Sequence, residues 1–243
     1  MIDRAQLRAA VHHRDGARIV ELVRAEPVLV DSETFQLIGD GLIAALTDKV
    51  EGAAEAAADC AGRLRERGWP GDDELADQLE ARLGTIPTPM LRPLAVDLED
   101  IAMVLEGDPT SGGGRIDLRT GDVLPDFAFD YLVEIGEESD DEDQDSDRWL
   151  HVWREGSRGG YGDMRDFIDT LSDRRLADRL DDAIRGRGAF RRFKDALSES
   201  PEEFSEWHVF AEERQRGRAR AWLAGEGYCV AGKRPTGDGE HAR

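Results

Sequence analysis

Gly186-Arg187-Gly188-Ala189-Phe190-Arg191-Arg192-Phe193-Lys194-Asp195-Ala196-Leu197 is the stretch on which the reading of the C-terminal half turns. Glycines 186 and 188 frame a helix start, because they adopt turn conformations closed to other residues. Phe190, Phe193 and Leu197 then recur at three- and four-residue steps, which place side chains on one helical face, so all three are expected in the core. Arg191, Arg192 and Lys194 leave the helix on the other side. With Arg185 and Arg187 they gather positive charge beside exposed backbone N–H groups, the physical make-up of an anion site. Arg187, Arg191, Arg192 and Lys194 are therefore the candidate anion-binding residues. Asp178, Asp181, Asp182, Asp195, Glu202 and Glu203 are close in sequence and offer the competing outcome of internal pairing, worth about 0–1 kcal/mol per exposed pair.

Downstream, Ser200-Pro201-Glu202-Glu203 carries a capping serine, a proline at the first helical position and early carboxylates, and predicts a long helix. Phe204, Trp207, Ala211 and Trp222 mark its inner face, Gly225 and Gly227 its stop, and 231–243 a frayed tail. Upstream, Leu176, Leu180 and Ile184 predict one helix. Met164, Phe167, Ile168 and Leu171 predict another, starting at Asp163 after the glycine run 159–162.

The strand signals lie further upstream. Ile116 and Leu118 alternate with polar residues, Thr120-Gly121-Asp122 reads as a hairpin turn, and Val123-Leu124 returns. Phe127, Phe129, Tyr131, Val133 and Ile135 recur at every second position, which predicts a half-buried strand. Trp149, His151 and Trp153, with Leu150 and Val152 opposite, predict its antiparallel partner. Between them the acidic run 137–147 is expected to be a solvated hairpin loop or a dock for a basic partner. Asp141, Asp143 and Asp145 have calcium-loop spacing, but Ser146 and Val152 stand where the motif needs glycine and glutamate. The glycine-rich loop 110–114 lacks the phosphate-loop pattern and leads into a strand.

Residues 1–84 read as short helices alone. Leu7, Ala10 and Val11 make one stripe, and Ile19, Val20, Leu22 and Val23 the next. Phe35, Ile38, Leu42 and Leu46 follow, with Gly39 and Gly41 requiring close neighbours. Ala54, Ala57, Ala61 and Leu64 lead to Gly68 as the terminal cap; Asp72 is expected to cap a last helix carrying Leu75, Leu79 and Leu83. Pro87, Pro89 and Pro93 then disfavour regular structure. The expected fold class is α+β: an all-α helical domain over 1–84, a proline-rich linker over 85–95, and over 96–230 a small antiparallel sheet covered by C-terminal helices.

A formal net charge of −21 repels phosphate backbones and acidic lipid, so neither nucleic acid nor membrane is an expected partner. Cys60 and Cys229 belong to no Cys/His cluster, so no metal site and no cofactor are expected. No apolar stretch approaches the roughly 20 residues of a membrane span, and the first residues carry no signal core. A cytoplasmic location is expected. The leading functional expectation is a non-enzymatic interaction or regulatory protein, meeting a protein partner through the N-terminal helices or the acidic loop. Local binding of phosphate or nucleic acid through 185–194 is the alternative. A hydrolase using Asp117, Asp122 or His151 would need a cleft that unites them.

Three segments together carry a resemblance: Ile116-Asp117-Leu118-Arg119-Thr120-Gly121-Asp122-Val123, Met164-Arg165-Asp166-Phe167-Ile168, and Gly188-Ala189-Phe190-Arg191-Arg192-Phe193-Lys194-Asp195. Over about residues 96–222 the chain resembles the bacterial group called Uncharacterised Protein Family 0158. The resemblance implies a bacterial cytoplasmic protein with a small α+β domain, and it brings no catalytic residues to carry over. Arg115-Ile116 stands where the family pattern tends to have tyrosine and leucine, and the acidic run looks like an insertion.

Overall fold

The computed structural model describes residues 4–25, 34–107, 112–135 and 147–231. Residues 108–111, the acidic run as far as Ser146 and the tail from Gly232 lie outside them.

Helices α1 (Arg4–His12), α2 (Gly16–Ala25), α3 (Phe35–Thr47), α4 (Ala53–Arg67) and α5 (Asp72–Leu83) follow the expected stripes, except that on α4 Ala54 is exposed and Ala53, one position earlier, is buried with Ala57, Ala61 and Leu64. Leu7, Ile19, Ile38, Leu42, Leu64, Leu75 and Leu79 meet in one apolar cluster. The two glycines of α3 are there for contact. A methyl on Gly39 would sit 2.6 Å from Leu75 Cδ2, and one on Gly41 2.6 Å from Ile19 Cδ1. Gly68 closes α4 at φ +64°, donating to the Leu64 carbonyl. Asp72 differs from expectation. Gly71 holds the cap position of α5, and the Asp72 carboxylate turns back to accept from Trp69 N at 2.9 Å and from Arg67.

Within the proline-rich segment, β1 (Arg92–Leu94) pairs in parallel with β5 (Tyr228–Val230). Helix α6 (Leu98–Glu106) follows, and the Asp97 side chain caps it by accepting from Glu99 N. Strand β2 (Gly114–Asp117) is the centre of a three-stranded antiparallel sheet, flanked by β3 (Val123–Pro125) and β4 (Trp149–Val152). The turn is the expected one. Gly121 has φ +78°, and a methyl there would fall 1.8 Å from the Ala95 carbonyl oxygen.

The expected strand at 127–135 is a helix, α7 (Asp126–Glu134), and β4 pairs with β2 instead. Positions 127, 131 and 135 are four residues apart, as are 129 and 133, so a period-two list contains two helical stripes. Phe129 packs edge-on against Trp149 at 5.2 Å, beneath the Arg115 guanidinium at 3.9 Å, while Phe127, Tyr131 and Ile135 face outward. Asp126 fixes the start of α7 by accepting from Gly113 N at 2.6 Å.

Helices α8 (Arg158–Thr170), α9 (Arg174–Ile184), α10 (Ala189–Leu197) and α11 (Pro201–Gly225) complete the chain. Two expectations change here. Helix α8 begins at Arg158 and takes in the glycine run, so Asp163 lies inside it, buried. Phe193 and Leu197 are core, but Phe190 is 39% exposed and Ala189 takes the inward place. Phe190 rests on the glycine run: a methyl on Gly160 would come 3.0 Å from its ring. Phe167, Phe193, Trp207 and Phe210 interlock with centroids 4.8–6.5 Å apart, separations at which edge-to-face rings attract beyond their burial. A third cluster joins Ile116 and Val152 of the sheet to Ile101 of α6 and to Ala219 and Leu223 of α11.

Candidate functional site

Helix α11 touches all three apolar clusters' helices, and its cations explain how. Arg214, Arg216, Arg218 and Arg220 alternate along it, and on a helix residues two apart point to nearly opposite sides. Arg214 and Arg218 therefore share one partner, Asp163 of α8, at 2.7–2.9 Å. Arg218 also meets Glu106 of α6. Arg216 and Arg220 share Asp40 of α3, at 2.9 and 2.6 Å. Burial would raise the Asp40 carboxyl, but these two guanidiniums outweigh it and hold Asp40 below the usual carboxylate range. Glu213 caps α3 from outside, accepting from Gln36 N and Leu37 N. Here burial prevails over Arg67 and pushes the carboxyl up.

Beside this network runs a groove of about 540 Å³ between α1, α6, α10 and α11. Leu37 and Ala102 line it, Met103 and Phe190 stand exposed at its edge, and Arg4 and Arg8 of α1 both bind Glu212 of α11.

A second surface lies on α7. Phe127, Tyr131 and Ile135 are 65%, 60% and 47% exposed, and Asp130 and Glu134 run beside them. Trp153, 74% exposed, leaves β4 at the corner where Gly113 donates to Asp126 and where a methyl on Gly113 would fall 2.6 Å from the Val152 carbonyl oxygen. Its ring stacks on His151 at 5.8 Å.

The residues singled out by sequence fall as follows. Arg192 turns back on its own corner, donating to the carbonyls of Ala183 at 2.9 Å and Arg185 at 2.7 Å, and to that of Arg187. It closes the end of α9. Arg191 lies 3.6 Å from Asp195, and Arg185 pairs with Asp181 and Asp182. Arg187 and Lys194 are exposed. Asp117 is buried and accepts from Arg148 Nε at 2.9 Å and Arg119 N at 2.8 Å. Burial would raise its carboxyl, and the Arg148 hydrogen bond overrides that and lowers it. Asp122 closes the hairpin through its backbone, accepting from Asp117 N at 2.9 Å. His151 faces Arg115 across the ladder. Sequence reasoning missed the groove altogether, since its walls come from segments about a hundred residues apart.

Residues 130–233 match the family model described as an uncharacterised protein family, UPF0158. Over that segment the chain is similar to UPF0158. A UPF0158 protein of Pseudomonas aeruginosa is 28% identical over 139 residues, which are 55% of this chain and 84% of that relative. No solved structure gives a significant match. The UPF0158 segment supplies most of α7, β4, α8 to α11 and β5, and hence Phe190 and Glu212 in the groove. Arg4, Arg8, Leu37 and Met103 come from outside it, so the groove is built by packing other helices on the UPF0158 segment.

Proposed function

We propose that this protein works by docking, and that the α7 face takes a basic amphipathic segment of a partner protein. The observation that carries the reading is the stripe Phe127, Tyr131, Ile135, apolar and aromatic side chains left in water at helical spacing. Exposed aromatic clusters are what protein interfaces bury at their centres. The chemistry of the partner follows from charge. Asp130 and Glu134 border the stripe and the whole chain carries −21, so a cationic rim around an apolar strip is the complement. No catalytic role is assigned to Asp117, which is held by Arg148.

The test uses a synthetic amphipathic helix of leucine and lysine, titrated calorimetrically against the full chain. Binding should weaken with salt, because exposed charges are screened. Phe127→Ser combined with Tyr131→Ser should weaken it about tenfold or more. Affinity unchanged by that double substitution, or indifferent to salt, refutes the reading.

A further inference from the structure

The three-stranded sheet ends in two unlike edges. On β3, Pro125 has no N–H to offer and α7 starts at the next residue, so that edge closes itself. β4 has neither device. Trp149-Leu150-His151-Val152-Trp153 contains no proline, glycine or formal charge, and no described strand lies beyond it. Leu118 N donates to the Arg148 carbonyl, and bonded pairs in an antiparallel ladder recur at every second residue, so Leu150 and Val152 turn their backbone groups to β2. Those of Trp149 and His151 face the open edge.

The side chains divide in the same way. Val152 is buried and Leu150 partly buried in the cluster shared with α6 and α11, while Trp149, His151 and Trp153 alternate onto the other face. Trp153 is 74% exposed with its ring stacked on His151. An open, apolar edge of this kind is a template for a further strand. Its sequence indicates which one, because the five residues read nearly alike in both directions: tryptophan at each end, an aliphatic residue inside each, and His151 at the centre. A twofold interface needs a patch that complements itself. We propose that β4 pairs antiparallel with β4 of a second copy of this chain, about a twofold axis at His151, joining the two sheets into one. In that register His151 meets its own counterpart, Leu150 meets Val152 and Trp149 meets Trp153, so aliphatic and aromatic side chains pair in kind. Arg148 comes opposite Arg154 beyond the ends of the paired stretch, and its charge is already held by Asp117. Five residues a side are fewer than the roughly 20 of a standard interface, so the dimer is a weak one, with a Kd in about the micromolar range or above. Nothing in it requires α7 to take a basic segment.

The full chain is followed by analytical ultracentrifugation from about 1 µM to about 1 mM. A dimer is expected within that range. It should tighten as salt rises, since two chains of −21 repel each other and salt screens the repulsion; docking of a basic segment on α7 has the opposite salt dependence. His151→Lys and His151→Glu each set like charges against one another at the axis, and each should weaken the dimer about tenfold or more. Mixed in equal amounts the two variants should associate again, because the introduced charges are then opposite, and misfolded variants would not do so. A chain monomeric throughout, association that weakens with salt, single variants that dimerise as the wild type does, or a mixture that stays monomeric each overturn the proposal.

Discussion

The carboxylate of Glu213, on α11, accepts from the backbone N–H groups of Gln36 at 2.8 Å and Leu37 at 3.1 Å, and so caps a helix 177 positions away in sequence. Thr34, at the cap position of α3, makes no side-chain cap bond of its own. Removing the carboxylate would leave two buried donors unpaired and take away one of the two carboxylates beside Arg67, which keeps Asp72. Glu213→Ala is expected to cost about 3 kcal/mol of stability, and Glu213→Gln, which keeps an acceptor, clearly less. Urea denaturation of the three proteins checks the order.

The same residue gives a pH dependence of defined sign. Burial raises the folded-state pKa of Glu213 against the opposing Arg67 and Arg216, with the α3 amides also favouring the charged form and Asp72 and Cys60 close by. The folded protein thus holds this proton more tightly than the unfolded chain. Its contribution is full below the unfolded value of about 4.3 and is lost as pH rises through the folded value. Asp40 and Asp117 act oppositely. Their folded values are lowered, so their contribution is full above about 3.9 and is lost as pH falls further. The stability difference between wild type and Glu213→Gln should therefore turn against wild type as pH rises above about 4.3. A difference flat across pH 4–8 would contradict the assignment.

Gly217 lies in the interior of α11, where glycine costs about 1 kcal/mol against alanine. A methyl there would fall 2.1 Å from the Pro70 carbonyl oxygen, and one on Gly71 equally close to the Gly217 carbonyl. The α4–α5 turn and α11 cross at backbone contact. Gly217→Ala should lower stability by about 1–3 kcal/mol despite the better helix former, and a gain in thermal midpoint would show the crossing to be looser.

Arg192 is expected to act on stability rather than on a ligand. Arg192→Gln removes its bonds to the Ala183, Arg185 and Arg187 carbonyls and should cost about 1 kcal/mol. Lys194→Gln, at an exposed position, should be neutral within about 0.5 kcal/mol. Phosphate titration by NMR separates the roles: shifts at Arg187, Arg191 and Lys194 that saturate would support the anion site.

Local pattern made much of this fold legible. Most of the stripes of α1 to α5, the Gly121 turn and the inward Phe193 and Leu197 each rest on residues within a few positions of one another. The error at 127–135 has a local cause too: Phe127, Phe129, Tyr131, Val133 and Ile135 fit a strand and a two-sided helix equally well. Only the demand of Phe129 for the face of the sheet beside Trp149 separates the two. β1 and β5 are three-residue strands whose pairing spans most of the chain, too short to announce themselves.

Taken alone, the sequence determined an acidic chain, the positions of most of its helices and the β2–β3 hairpin, because each follows from spacing and side-chain chemistry along one short segment. The tertiary structure decided what the charges do. Arg216 and Arg220 meeting Asp40, Arg214 and Arg218 meeting Asp163, and Arg4 and Arg8 converging on Glu212 all depend on where α11 lies across the other helices. A charged side chain has many possible partners of opposite sign in a chain this rich in them, and only packing selects among them.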